Sequence, residues 1–165
     1  MGNFEVIDNF LNRDDFEMVK SAIDHTGFPW FYETQITKPN IESTNYKFYL
    51  IHTCYINSKP NSKLWDEIGQ LFFDKLKMKS ILRMKVNFYP NQGTFEEHDP
   101  HIDYPYHHKG AIFSLNTCNG YTKLYDGTKI DSVENRMLLF NSSLEHSSTN
   151  TTNAVRRLNI NFNYF

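Results

Sequence analysis

Cysteine is scarce in this chain. Cys54 and Cys118 are the only two, in separate segments and outside any CxxC. That argues against a disulfide scaffold or a thiolate metal site and leaves both as small buried hydrophobes. No block of like charge occurs. Seventeen Lys and Arg stand against 19 Asp and Glu, a net charge of −2. Overall charge therefore gives no hold on nucleic acid or anionic lipid, and neither partner is expected. No apolar run is long enough to span a membrane. The opening Met1-Gly2-Asn3-Phe4-Glu5-Val6 has neither a basic nor an apolar leader region, and Val6 stands where myristoylation needs Ser or Thr. A reducing, cytoplasmic setting is the expectation. Repeats, low-complexity tracts and Pro/Gly/Ser linkers are missing too, so nothing divides the chain.

What is present is aromatic. Fourteen Phe and ten Tyr sit in 165 residues that are 39% hydrophobic, too rich for a disordered chain. One domain spanning 1–165 is expected, burying roughly 70% of the unfolded surface. Residues 8–24 predict a helix capped by Asp8 or Asn9, with Phe16, Val19 and Ile23 as its apolar stripe. Residues 62–78 predict a second, capped by Ser62, with Leu64, Ile68, Leu71, Phe72 and Leu76 on one face. Tyr46–Ile51 between them has strand composition.

After residue 80 short apolar or alternating runs take over, at 82–89, 110–117, 121–125, 136–141 and 155–165, parted by Gly, Asn, Asp and Pro clusters. The last run alternates cleanly. Leu158, Ile160, Phe162 and Tyr164 share one face, and Arg157, Asn159, Asn161 and Asn163 the other. One Arg and three Asn make an odd solvent face and a plausible lining for a polar concavity. The fold class expected is mainly β, a barrel or jelly roll backed by two helices placed before it.

His101-Ile102-Asp103 is the sharpest local feature. At a strand end, positions two apart face the same way, so an imidazole and a carboxylate converge. His146 follows the apolar run 137–140, which can carry it back across a sheet. Two His and one Asp form the facial set that holds non-haem Fe(II) and leaves other positions open. Arg157 opens the last polar face, where a guanidinium can clamp a dicarboxylate bidentately. Alternation with Leu158 and Ile160 favours Arg157 over Arg156 as the inward residue. Asn87 and Tyr89 add an amide and a phenol on a strand leading towards the HxD.

With these pieces in order, the sequence resembles the Fe(II)/2-oxoglutarate-dependent dioxygenases, and within them the small prolyl-hydroxylase-like branch. The matching segments are Asn87-Phe88-Tyr89-Pro90, His101-Ile102-Asp103, the stretch 120–127, Asn135–Phe140, His146 and Arg157–Phe162. They cover about residues 80–165. The resemblance implies a double-stranded β-helix core over 81–165, supported by helices and strand over 1–80. It implies Fe(II) held by His101, Asp103 and His146. It further implies 2-oxoglutarate bound through its far carboxylate by Arg157, with Tyr89, Asn87 and Asn159 hydrogen-bonding it, and dioxygen as the oxidant. The activity implied is hydroxylation of a C–H bond, in a prolyl or other peptide side chain or in a small amino-acid-like metabolite. Asn135 stands where the family often has Gly, and the chain is short of the extra strands that larger members carry.

Two other readings stay open: a jelly-roll module that binds without turnover, and a cupin-type metal enzyme that ignores 2-oxoglutarate. His98, His107 and His108 are expected to be exposed or to face substrate rather than to form a second metal site. His25 and His52 are expected to be structural. The run Phe28-Pro29-Trp30-Phe31-Tyr32 is expected in the packing of the N-terminal layer, and Tyr104 and Tyr106 at the rim of the site.

Overall fold

The computed structural model describes residues 4–33 and 48–165. Eleven strands and two helices are seen among them. In chain order they are β1 (Phe4–Ile7), α1 (Arg13–Ile23), β2 (Phe31–Glu33), β3 (Tyr49–Ile56) and β4 (Lys59–Pro60). A π-helical turn over Trp65–Gly69 then runs into α2 (Gln70–Lys75). After it come β5 (Ile81–Pro90), β6 (Lys109–Ser114), β7 (Tyr121–Leu124), β8 (Lys129–Asp131), β9 (Arg136–Asn141), β10 (His146–Ser148) and β11 (Arg156–Tyr164).

An antiparallel sheet of order β1-β9-β6-β11-β5-β3-β2, with β4 attached to β3, faces a small one of order β10-β7-β8. This is the layout of a jelly roll. The large sheet is apolar on its outer side, where Met84, Val86, Phe113, Met137, Leu158, Ile160 and Phe162 meet Phe16, Val19 and Ile23 of α1 and Phe72 of α2. Phe72 alone lies 5.2 Å from the ring of Phe113 and 4.8 Å from that of Phe162. The inner side carries only a small apolar patch, Ile112, Leu124, Leu138 and Phe140, which holds the sheets together at one end. The rest of that side is polar.

The helices are not both N-terminal, since three strands separate them, and both are shorter than their periodicity predicts. α1 is capped by Asn12, whose side chain accepts from the Asp15 amide at 2.9 Å. Asn9 is left-handed, with φ 53°, and Asp8 is engaged by Arg136. Ser62 does not cap the helix; its hydroxyl donates to His52 Nε2 at 2.8 Å, whose Nδ1 donates to the Pro29 carbonyl. The first turn is instead π-helical, with the Trp65 ring lying so close over Gly69 that a Cβ there would come within 2.4 Å of it. Lys77, at φ 49°, ends the helix before residue 78.

Of the strand expected at 46–51, Tyr46 and Lys47 fall outside the described residues, and the strand observed runs on to Ile56. The runs after residue 80 form strands within a few residues of their expected limits. Phe28 is buried as expected, whereas Phe31 and Tyr32 are exposed on the edge strand β2. Cys54 and Cys118 are buried free thiols, and burial pushes the Cys54 thiol up to about 12. No helix among the described residues is long and apolar enough to cross a membrane.

Candidate metal centre

The register of β5 against β11 places inward side chains in matched rungs: Tyr89 opposite Arg157, Asn87 opposite Asn159, Lys85 opposite Asn161, Arg83 opposite Asn163. Period-two alternation puts all eight on the face turned towards the small sheet. Over the Arg83 end of this ladder lies the chain between β5 and β6. His101 and His146 exchange backbone hydrogen bonds, N to O and O to N, both 3.0 Å, and their rings lie 4.5 Å apart. The Asp103 amide donates to the Ser142 carbonyl at 3.2 Å. His101, Asp103 and His146 thereby bring one donor atom each to within 4.8 Å of one another, the one such cluster of three among the described residues. His146 Nε2 lies 3.8 Å from Asp103 Oδ2.

Each member is held in place from behind. His146 Nδ1 lies 3.0 Å from the Leu144 carbonyl, which sets the tautomer and leaves the Nε2 lone pair facing Asp103. Asp103 Oδ1 accepts from Arg83 at 2.6 Å and Oδ2 from Asn163 Nδ2 at 2.8 Å. Asn163 also meets Ser142 Oγ at 3.0 Å, and Ser142 Oγ lies 2.7 Å from His108 Nε2. Burial works against ionisation of Asp103, but Arg83, His146 and the Asn163 hydrogen bond outweigh it and hold the carboxyl well below its usual range. Burial, with His146 nearby, pushes His101 down to about 4 against the opposing pull of Asp103, so this imidazole is neutral at pH 7.

A divalent metal needs deprotonated donors, and His101 and Asp103 are deprotonated at neutral pH. His101 Nδ1 is buried without a hydrogen-bond partner. Two imidazoles and one carboxylate suit Fe(II). The donor set fits the metal that the sequence led us to expect.

The cavity beside the triad, roughly 460 Å³ and open at its mouth, is lined by Tyr49, Lys85, Asn87, Tyr89, Thr122, Ser147, Ser148, Asn159 and Asn161 together with the triad. Arg157 is not on its surface. The guanidinium stands behind Thr122 and borders a smaller recess that shares Ile112 and Thr122 with the main cavity. It is 1% exposed, donates to the Thr149 carbonyl at 3.0 Å and Thr122 Oγ1 at 2.9 Å, and lies 5.7 Å from the Tyr89 ring centre. Nε has no partner, and no carboxylate lies within ion-pair distance among the described residues. Arg156 points the other way and pairs with Asp24.

The structure thus brings His101, Asp103, His146, Asn87, Tyr89 and Asn159 around one cavity, with Arg157 just behind its wall. Two expectations about the histidines are corrected. His98 and His108 are buried, not exposed, because Ser148 Oγ binds the first at 2.8 Å and Ser142 Oγ and the Tyr106 carbonyl bind the second. His107 is exposed. His52 is structural, held between the Pro29 carbonyl and Ser62. Tyr104 and Tyr106 stack on each other next to Asp103, and Tyr104 faces Arg83.

Sequence reasoning missed Arg83, Lys85 and Tyr49 as neighbours of the site, and expected Asn163 only as part of the polar lining. The signal was available for two of them: Arg83 and Lys85 continue the alternation of Asn87 and Tyr89 on the same strand. Among the described residues Lys85 Nζ reaches only the Tyr49 hydroxyl, at 3.4 Å. Burial, with Arg83 adding and Asp103 and Glu33 opposing, pushes that ammonium down to about 8. Burial, reinforced by the neighbouring Tyr89, raises the Tyr49 phenol above its ordinary value.

No family model matches the chain, and no curated protein matches its sequence. Solved structures do. A prolyl hydroxylase from Trichoplax adhaerens, in complex with a hypoxia-inducible-factor oxygen degradation domain peptide, aligns with TM-score 0.68 at 18% identity over 99% of this chain and 83% of its own. A 2OG-Fe(II) oxygenase family oxidoreductase from Burkholderia pseudomallei gives 0.71 at 10% identity, covering 98% and 84%. A Pseudomonas putida prolyl-4-hydroxylase gives 0.67 at 13%, covering 98% and 92%. The chain has the fold of the 2OG-Fe(II) oxygenases, prolyl hydroxylases among them.

Proposed function

We propose that this protein is an Fe(II)- and 2-oxoglutarate-dependent dioxygenase that hydroxylates a C–H bond of an amino-acid-like substrate, free or within a peptide. The observation that carries the reading is a pairing on one polar sheet face. A His-Asp-His cluster stands over the Arg83 end of the β5/β11 ladder, and a buried arginine without a counter-ion stands at the other. A buried cation left unpaired costs several kcal/mol, and an anionic ligand offsets that cost.

His101, Asp103 and His146 would hold the metal, which supplies Lewis acidity and the redox chemistry of dioxygen activation. In balance, substrate C–H, dioxygen and 2-oxoglutarate give substrate C–OH, succinate and carbon dioxide. The chain's own residues bind and orient. Arg157 has five N–H donors, of which Thr149 and Thr122 use two, so a fork remains for the far carboxylate. Thr122 lines both recesses and hydrogen-bonds the guanidinium, so it is the side chain the far carboxylate would have to displace from Arg157. Asn87 Nδ2 donates to Asn159 Oδ1 at 2.9 Å, which fixes the Asn159 amide and leaves its N–H groups for the cosubstrate. Tyr89, stacked on Tyr49 at 5.3 Å, closes the cavity wall beside Arg157 and keeps water out. Two buried free thiols suit a reducing, cytoplasmic compartment.

The test is anaerobic Fe(II) titration followed by succinate release from 2-oxoglutarate in air. His101→Ala and Asp103→Ala should each abolish metal binding and turnover. Retained metal affinity in both variants, or metal binding with no 2-oxoglutarate consumption by the native chain, rejects the reading.

A further inference from the structure

The inward face of β5 holds two polar groups poorly satisfied among the described residues. The first is the Lys85 ammonium. Its neighbour one rung down, Arg83, is neutralised by Asp103 at 2.6 Å, but no carboxylate among the described residues lies within ion-pair distance of Lys85. Its one hydrogen bond among the described residues, to the Tyr49 hydroxyl, is long at 3.4 Å. The second is Asn87 Oδ1. The Asn87 amide N–H is spent on Asn159, while the oxygen is buried with no donor. Both side chains line the main cavity with His101 and Asp103.

These two groups make opposite demands. Lys85 calls for an anion and Asn87 Oδ1 for a donor, and they project from positions two apart on one strand, roughly 6.6 Å along it. A dicarboxylate cosubstrate satisfies the first type of group and repels the second. Lys85 and Arg157 are also two rungs apart, roughly 13 Å along the ladder, so an anion seated on one leaves the other open. An internal residue of a peptide has neither a charge for Lys85 nor a cationic donor for Asn87. A free amino acid has both, on adjacent atoms.

We propose that Lys85 and Asn87 form the receptor for the α-carboxylate and α-ammonium of a free amino acid, which makes the primary substrate a free amino acid rather than a residue within a peptide. The inference rests on the reading of the site as a 2-oxoglutarate oxygenase, and it narrows that reading to one substrate class.

The experiment uses the full chain loaded with Zn(II), which cannot turn over, and with 2-oxoglutarate. Each of the twenty L-amino acids is tested singly by saturation-transfer NMR. Any that binds is compared with its carboxamide, its N-acetyl form, and the same residue inside a doubly capped tripeptide. Saturable binding of at least one free amino acid is expected, weakened about tenfold or more in the carboxamide, since each tenfold corresponds to one good polar interaction. Lys85→Met should weaken that amino acid by a similar factor without a matching loss of 2-oxoglutarate affinity, and Lys85→Arg should recover most of it. The inference is overturned if no free amino acid binds while 2-oxoglutarate does. It is equally overturned if carboxamide or capped tripeptide binds as well as the free acid, or if Lys85→Met weakens 2-oxoglutarate instead. Failure of the native chain to bind 2-oxoglutarate at all removes the underlying reading, and this inference with it.

Discussion

Replacing Arg157 by Met gives a direct trial of the idea that its buried charge exists for a ligand. The side chain is 1% exposed and has only neutral partners, the Thr149 carbonyl and the Thr122 hydroxyl. Truncating one partner of a buried charge pair costs about 2–5 kcal/mol, which is roughly 30- to 5,000-fold in 2-oxoglutarate affinity. Thermal unfolding of the Zn(II)-loaded protein reads this without turnover. At a 2-oxoglutarate concentration about 100 times the native Kd, binding adds about 2.7 kcal/mol. A chain of this size gains about 2–4 °C per kcal/mol, so the midpoint should rise by about 5–11 °C. At the same concentration a variant weakened about 30-fold retains about 0.9 kcal/mol, a rise of about 2–3.5 °C, and a weaker one shows almost none. Arg156→Met is the control, because Arg156 faces Asp24 away from the cavity, and it should keep the full rise. A full rise in Arg157→Met, or its loss in Arg156→Met, would refute the assignment.

The metal-free protein should lose stability steadily as pH falls from about 6.5 to 4. His101 titrates near 4 when folded and near 6.5 when unfolded, so across that window the unfolded chain carries the extra proton. The loss is on the order of 2–3 kcal/mol by pH 4. Asp103, whose folded pKa lies below its ordinary 3.8, contributes stability that is lost only at still lower pH. Urea midpoints at pH 7, 5.5 and 4 measure the effect, and a native slope no steeper than that of His101→Gln would contradict it. Gly110→Ala should weaken metal binding about 10- to 100-fold, the usual size for a disturbed supporting contact. The new Cβ would come within 2.5 Å of the Ser142 side chain, and Ser142 holds both the Asp103 amide and Asn163; zinc titration by competition with a chromogenic chelator checks it.

What the sequence made legible divides along the two faces of one sheet. The alternation of β11 and β5 needs no tertiary information, because a strand with Leu158, Ile160 and Phe162 on one side must turn Arg157, Asn159 and Asn161 to the other. Asn87, Tyr89 and Asn159 line the cavity on that account, with Arg157 behind its wall, whereas the three triad residues reach it from β10 and the connection between β5 and β6. The lengths of the helices were not legible, since they depend on partners far away in the chain. Ser62 is drawn off its helix by His52, and Asp8 by Arg136 across 128 positions. The edge strand β1 has no periodicity of its own. It forms because β9 offers it a free edge, from Phe4 opposite Phe140 to Ile7 opposite Met137. Asn135 shows the same dependence. Its left-handed φ of 59° is what a turn residue tolerates, but its amide also bonds both the N–H and the carbonyl of Leu11, a contact 124 positions away that no local reading contains.

Arg83 and Lys85 were hidden by a different rule. Charged side chains are almost never buried unless paired, so a reading by composition assigns them to solvent even where their strand parity turns them inward. Asp103 resolves the case of Arg83: the ion pair permits a half-buried arginine and also depresses the carboxyl that would ligate the metal. One contact then serves both stability and chemistry, and it depends on a register in which Arg83 lies opposite Asn163, so that the two donors reach the two oxygens of one carboxylate. A one-residue slip of β5 against β11 would turn Arg83 to the apolar helix side, away from Asp103, and leave Asn163 without its fellow donor. That register is therefore held from both faces of the sheet at once, by apolar packing on one and by the Asp103 carboxylate on the other.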